Sequence, residues 1–93
     1  MSLQFTWDPK KAAANLRKHQ VGFPEGATAF ADPHSMTIAD PDHSADEQRF
    51  MLIGQSDRHR LVVVAHVERG DLIRIISSRL ASRHERNTYE EEA

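Results

Sequence analysis

Apolar and polar residues alternate from Leu3 to Trp7, a period of two that predicts a short first strand ended by Asp8-Pro9. The period then changes. Asp8 suits a helix N-cap and Pro9 the first turn, where its missing N–H costs nothing. Lys10 to His19 follows with good helix formers, including the run Ala12-Ala13-Ala14, and Gly22 is expected to stop the helix. Phe23, Ala27 and Phe30 stand at i, i+4 and i+7, one apolar face of a second short helix opened by Pro24 and closed before Asp32-Pro33. Gly26 weakens that helix by about 1 kcal/mol relative to Ala.

Met36 to Ala39 suits a strand. The segment DPDHSADEQ after it, from Asp40 to Gln48, carries too much Asp, Pro and Ser for regular structure. Arg49 to Gln55 reads as a strand, Arg58 to Arg60 as a turn, and Leu61 to Val67 as a nearly continuous apolar strand. Glu68-Arg69-Gly70-Asp71 turns the chain into a β-branched run around Arg74, which Ser77 and Ser78 are expected to leave. Ser82 with Glu85 three residues on is a capping box, so a last helix should start there, with Glu85 and Tyr89 four apart on one face. The fold class expected is α+β in a single domain over residues 1–93: an antiparallel meander of about three to five strands, packed by two N-terminal helices and one C-terminal helix.

Composition narrows the chemistry. With 93 residues, 39% of them apolar, the chain suits one soluble domain of modest stability. It has no Cys, which excludes thiol nucleophiles, disulfides and Cys-based zinc sites. No stretch approaches the ~20 apolar residues of a membrane span, and the start MSLQFTWDPKK has no apolar signal core, so a cytoplasmic protein is expected. The net charge of −2 hides a segregation. Residues 1–20 carry Lys10, Lys11, Arg17 and Lys18 against Asp8; residues 21–48 carry six acids and no Lys or Arg; residues 49–86 carry eight arginines against four acids. Such zoning suggests a basic face for a polyanion and an acidic one for a basic partner, unless folding intermixes them.

The closing segment RIISSRLASRHERNTYE, Arg74 to Glu90, concentrates candidate chemistry at a strand-to-helix junction. Guanidinium groups bind phosphate oxygens through a permanently charged fork, and a nearby carboxylate or phenol moves protons. Arg74 and Arg79 are therefore candidates for phosphate and transition-state charge, Glu85 and Tyr89 for proton transfer. An odd spacing separates the two arginines, so an uninterrupted strand would point them to opposite faces; a bend at Ser77-Ser78 must bring them together, or only one acts. Lys11, Lys18, His19, Arg49, Arg69 and Arg83 are candidates for holding a nucleic-acid backbone. Each has a plainer reading: solvated charge for the lysines, a helix-dipole partner for His19, edge protection for Arg49 and Arg69. Trp7 is read as core.

These residues resemble a known family, the BrnT-type toxins of bacterial type II toxin–antitoxin systems. The resemblance runs through WDPKKAAANLRKHQVGF (7–23), AFADP (29–33), EQRFMLIG (47–54) and the C-terminal RIISSRLASRHERNTYE. It implies a RelE-like ribonuclease fold, endonucleolytic RNA cleavage without a metal or other cofactor, and arrest of translation. It also implies a cognate BrnA-type antitoxin as partner, through which operator DNA is contacted only indirectly. Gly26, where the family usually has Ala, and the acidic stretch from Asp40 to Glu47 depart from the pattern. Two other classes stay open. One is a binding module of the same fold without catalysis; the other is a metal hydrolase using Asp40, Asp42, His43 and Asp46 with His34 nearby, although no helical HExxH spacing exists.

Overall fold

The structure, a computed structural model, describes residues 2–40 and 47–92. Five strands form one sheet: β1 (Gln4–Thr6), β2 (Met36–Ala39), β3 (Arg49–Gln55), β4 (Leu61–Arg69) and β5 (Leu72–Leu80), in the spatial order β1-β5-β4-β3-β2. Strands β2 to β5 are an antiparallel meander, as the pattern predicts. The sheet as a whole is mixed rather than antiparallel, because β1 runs parallel to β5, with Gln4, Phe5 and Thr6 opposite Leu72, Ile73 and Arg74. The two helices that follow β1 carry the chain across one face of the sheet before the meander starts, so the first strand has the last as its neighbour.

Helix α1 (Pro9–His19) is capped by Asp8, whose side chain accepts from the Lys10 N–H, and it ends earlier than Gly22. Gln20 takes the left-handed cap, and Gly22 opens α2 (Phe23–Thr28), which runs into a 3-10 turn over Ala29–Ala31. Both helices pack on the sheet face formed by Leu52, Val62, Val64, Ile73 and Ile75, with Val21, Phe23 and Ala29 between them. Trp7 joins this core, edge-on to Phe23 at 5.9 Å between ring centres. Burying a dozen such apolar side chains is the main stabilising contribution.

Two polar clamps fix the helical layer. The buried Asn15 amide donates to the carbonyls of Val21 and Ser78 (2.9 Å each) and accepts from the Ser78 N–H (3.1 Å). The buried Glu25 carboxylate receives the Arg60 guanidinium (Nε at 2.9 Å) and the Ser56 hydroxyl (2.7 Å), contacts that hold it below the usual carboxylate range against the opposing effect of burial. Gly26 has a steric role as well: a Cβ there would lie 2.5 Å from Ser78 Oγ and 3.2 Å from Val64 Cγ2, so its absence lets α2 approach the sheet.

Ser77 and Ser78 do not leave the strand. β5 continues to Leu80, and Ser78 is fully buried under α1. What interrupts β5 is a bulge: Ile75 pairs with His66 and Ser77 with Ala65, leaving Ile76 as an extra residue.

Candidate active site

The bulge decides which arginines share a face. Residues directly opposite in a ladder share a face, and Arg74 lies opposite Val67 while Arg79 lies opposite Val63, two positions of one β4 face. The extra residue thus cancels the odd spacing and puts Arg74 and Arg79 on the same side. Arg49, also opposite Val67, and Arg69, two residues further along β4, join them on the face turned away from α1 and α2. Arg74 and Arg79 are four ladder steps apart, about 13 Å along the strand. Between them the floor is Ala65 and Ser77, both small and half-buried.

Helix α3 (Arg83–Glu92) covers one end of this face. Ala81 and Tyr89 pack on Ile53, Leu61 and Val63, forming a second, smaller apolar cluster. The capping box forms as its sequence implies: the Ser82 N–H donates to Glu85 Oε1 (2.8 Å), and the Glu85 N–H donates to Ser82 Oγ (3.2 Å). Glu85 also takes both terminal nitrogens of Arg79, at 2.8 and 2.9 Å. The Arg79 fork, helped by the Ser82 amide, pulls the Glu85 carboxyl down to about 2 against the opposing effect of burial. A carboxylate so committed is a weak proton acceptor at neutral pH.

Tyr89 is committed too. Its hydroxyl donates to Asp32 Oδ2 at 2.6 Å, and this bond, together with burial and the Asp32 charge, pushes the phenol up to about 12. Burial pushes Asp32 itself upward, but the Tyr89 hydroxyl and the backbone N–H groups of Gln55 (2.8 Å) and His34 (2.9 Å) outweigh it, so the carboxyl lies below its ordinary range. Tyr89 therefore keeps its proton throughout the physiological range. The junction read from sequence as one cluster is divided: Arg79, Glu85 and Tyr89 lock α3 down, whereas Arg74 is exposed at the other end of the face. Asp32 is the residue that sequence reasoning misses, since Asp32-Pro33 reads only as a helix stop and nothing local ties it to Tyr89.

At that far end Arg69 donates to Glu47, whose carboxyl this bond and the fields of Arg69, Arg74 and Arg49 hold below its usual range. Among the described residues neither Arg49 nor Arg74 makes an ion pair at contact distance. Arg83 is the exposed first residue of α3. Lys11, Lys18 and His19 lie on α1, so the sheet stands between them and the arginine face. Asp42, His43 and Asp46 lie outside the described residues, among which no three His, Asp or Glu side chains are arranged to hold a metal ion. No described helix is long and apolar enough to cross a membrane.

A mixed five-stranded sheet with two helices behind it and one across its arginine-bearing face defines a small α+β protein. Over residues 7–85 the chain matches the family described as the ribonuclease toxin, BrnT, of type II toxin–antitoxin systems, and it belongs to that family. A similar solved structure is the 1.1 Å crystal structure of the Brucella abortus ribonuclease toxin BrnT, with 25% sequence identity, a TM-score of 0.62, and coverage of 88% of this chain and all of that one. No curated protein matches the chain significantly.

Proposed function

We propose that this toxin is a metal-independent endoribonuclease with a RelE-like fold, that it cleaves RNA along the open arginine face and so arrests translation, and that a cognate BrnA-type antitoxin silences it in the cytoplasm. Family membership supports a ribonuclease toxin with an antitoxin partner and an RNA substrate. The observation that carries the site is the β5 bulge, which brings Arg74 and Arg79 onto one face, the face that Arg49 shares through its pairing with β4.

Cleavage in this reading is a transesterification. The ribose 2′-oxygen gives its proton to solvent water and attacks the adjacent phosphorus; the P–O5′ bond breaks, and the departing 5′-oxygen takes a proton from water. Arg74, exposed and without an ion-pair partner among the described residues, binds the reacting phosphate and stabilises the charge of the phosphorane. Arg49 supports it from β3. Arg79, about 13 Å along the strand, grips a further phosphate when RNA competes with Glu85 for its fork. With Glu85 drawn down to about 2 and Tyr89 up to about 12, neither is poised as a general base, so charge stabilisation and positioning carry most of the rate. Tyr89 gives its hydrogen to Asp32 at the end of the face away from Arg74, so it is no donor to a leaving oxygen held there, and the 5′-oxygen takes its proton from solvent.

The test is Arg74→Ala, assayed on RNA in chelator. Cleavage by the wild type should survive the chelator, and the variant should lose roughly 3–4 kcal/mol of transition-state stabilisation, a hundredfold or more in rate, with an unchanged fold. Normal cleavage by Arg74→Ala would remove the site as drawn. RNA binding without strand breaks by the wild type would favour the non-catalytic module.

A further inference from the structure

On the side of the sheet away from the arginine face, α1 carries Lys10, Lys11, Arg17 and Lys18, all exposed. Lys10 and Arg17 are seven residues apart, as are Lys11 and Lys18. Seven residues are close to two helical turns, so each pair forms a row about 10 Å long, and the two rows stand side by side. Ala13 and Ala14, also exposed, leave the surface among these cations low. The inward positions Ala12, Asn15 and His19 occupy the opposite side of the helix. None of the four cations pairs with an acid among the described residues, whereas Arg58, Arg60, Arg69 and Arg79 all do.

Ordinary solvation does not account for this arrangement. The other exposed helix, α3, mixes signs along its length, Arg83, Glu85, Arg86 and Glu90, as a solvated surface does; α1 has no acidic residue at all. Arg17, Lys18 and His19 in its last turn complement the helix dipole, but Lys10 and Lys11 in its first turn oppose it, at a cost to the fold. In a chain of net charge −2, four unpaired cations on one helix face form a local polyanion-binding surface rather than a general basicity.

We infer that the outer face of α1 is a second RNA-binding surface, contacting the phosphate backbone of a long RNA behind the sheet while the arginine face engages the strand to be cut. This rests on the proposed RNA reading of the arginine face, and it gives the toxin a bidentate hold on large RNAs that short ones cannot use.

The experiment uses 2′-O-methyl oligouridines, which lack the attacking hydroxyl, as a hexamer and as a long strand. Replacing all four cations (Lys10→Gln, Lys11→Gln, Arg17→Gln, Lys18→Gln) should weaken long-strand binding roughly tenfold or more at low salt and lower the slope of log K against log salt by roughly 2 to 3, with hexamer binding preserved. Lys10→Arg, Lys11→Arg and Lys18→Arg together, which keep the charge, should bind the long strand as the wild type does. Arg74→Gln measured on the hexamer tests the arginine face separately, so a failure there is distinguishable from a failure of α1. Wild-type affinity and slope for the long strand in the four-Gln variant would overturn the inference. So would loss of binding to phosphatidylserine vesicles in that variant with RNA binding intact, which would make the surface a membrane contact.

Discussion

Tyr89 and Asp32 show how a functional-looking residue changes meaning with its partner. The phenol donates to a carboxylate that two backbone amides already hold in place, so the proton is fixed on the tyrosine and not on the acid. The pairing joins positions 57 apart, and no local pattern links them, which is why Asp32-Pro33 reads in the sequence only as a stop signal. The chain has one Tyr, so phenolate absorbance follows Tyr89 alone. Titration of the wild type should give a midpoint near 12, and Asp32→Asn should bring it down toward the ordinary value of about 10. The same midpoint in both proteins would mean that the Asp32 bond is not made in solution. Because the folded value is raised, the stability this bond supplies is complete below the unfolded value near 10 and disappears as the pH climbs through about 12.

At the scale of elements, the kind and order of strands and helices were readable because hydrophobic period and capping chemistry are local, whereas the end of β5, which runs on through Ser77 and Ser78 to Leu80, was not. Nor was the face an arginine occupies. One extra residue at Ile76 reverses the parity of everything after it in β5, and a bulge is set by pairing with β4 rather than by the β5 sequence alone. Helix α3 has no fully buried residue and depends on the Arg79–Glu85 fork and the Tyr89–Asp32 bond for its position. Glu85 is depressed from 4.5 to about 2, so its contribution is fully present above pH 4.5 and is lost as the pH falls toward 2. NMR spectra of α3 amides should therefore show this helix loosening across that acid window, and Glu85→Gln should loosen it at neutral pH. An α3 that stays ordered in the variant would show that the apolar contacts of Tyr89 suffice.

The approach of α2 to β5 makes a second prediction at this scale. Gly26→Ala should destabilise by about 1–2 kcal/mol, the gain in helix propensity being smaller than the cost of a Cβ 2.5 Å from Ser78 Oγ. Ser78 Oγ is buried without a hydrogen-bond partner, so Ser78→Ala alone should change stability little, and in its presence the Gly26→Ala penalty should shrink. Denaturant unfolding of the two single variants and the double variant measures the coupling directly; simple additivity would show that the close approach relaxes elsewhere.

For the whole molecule, the parallel placement of β1 could not be read from the meander, since it pairs Gln4 with Leu72, far along the chain. The zoning of charge could be read, but its arrangement in space depends on which side of the sheet each element takes. The two basic zones end on opposite sides, α1 behind and the arginines of β3 to β5 in front. Glu47, from the acidic zone, ends among the front arginines, bound to Arg69 and in the fields of Arg74 and Arg49. A carboxylate there offsets part of the potential that would attract a phosphate backbone and occupies one of the guanidinium groups that would bind it. Glu47→Gln removes the charge and leaves Arg69 at most a neutral hydrogen bond, without changing the side-chain shape. RNA affinity should then rise several-fold at low salt, and the slope of log K against log salt should steepen by up to roughly 0.7, the value of one added phosphate contact to a single strand. Cleavage per bound RNA should stay as it was, because Arg74 is unaltered. An affinity and slope equal to the wild type would place the Arg69 end of the face outside the path of the RNA, and would confine binding to the stretch between Arg74 and Arg79.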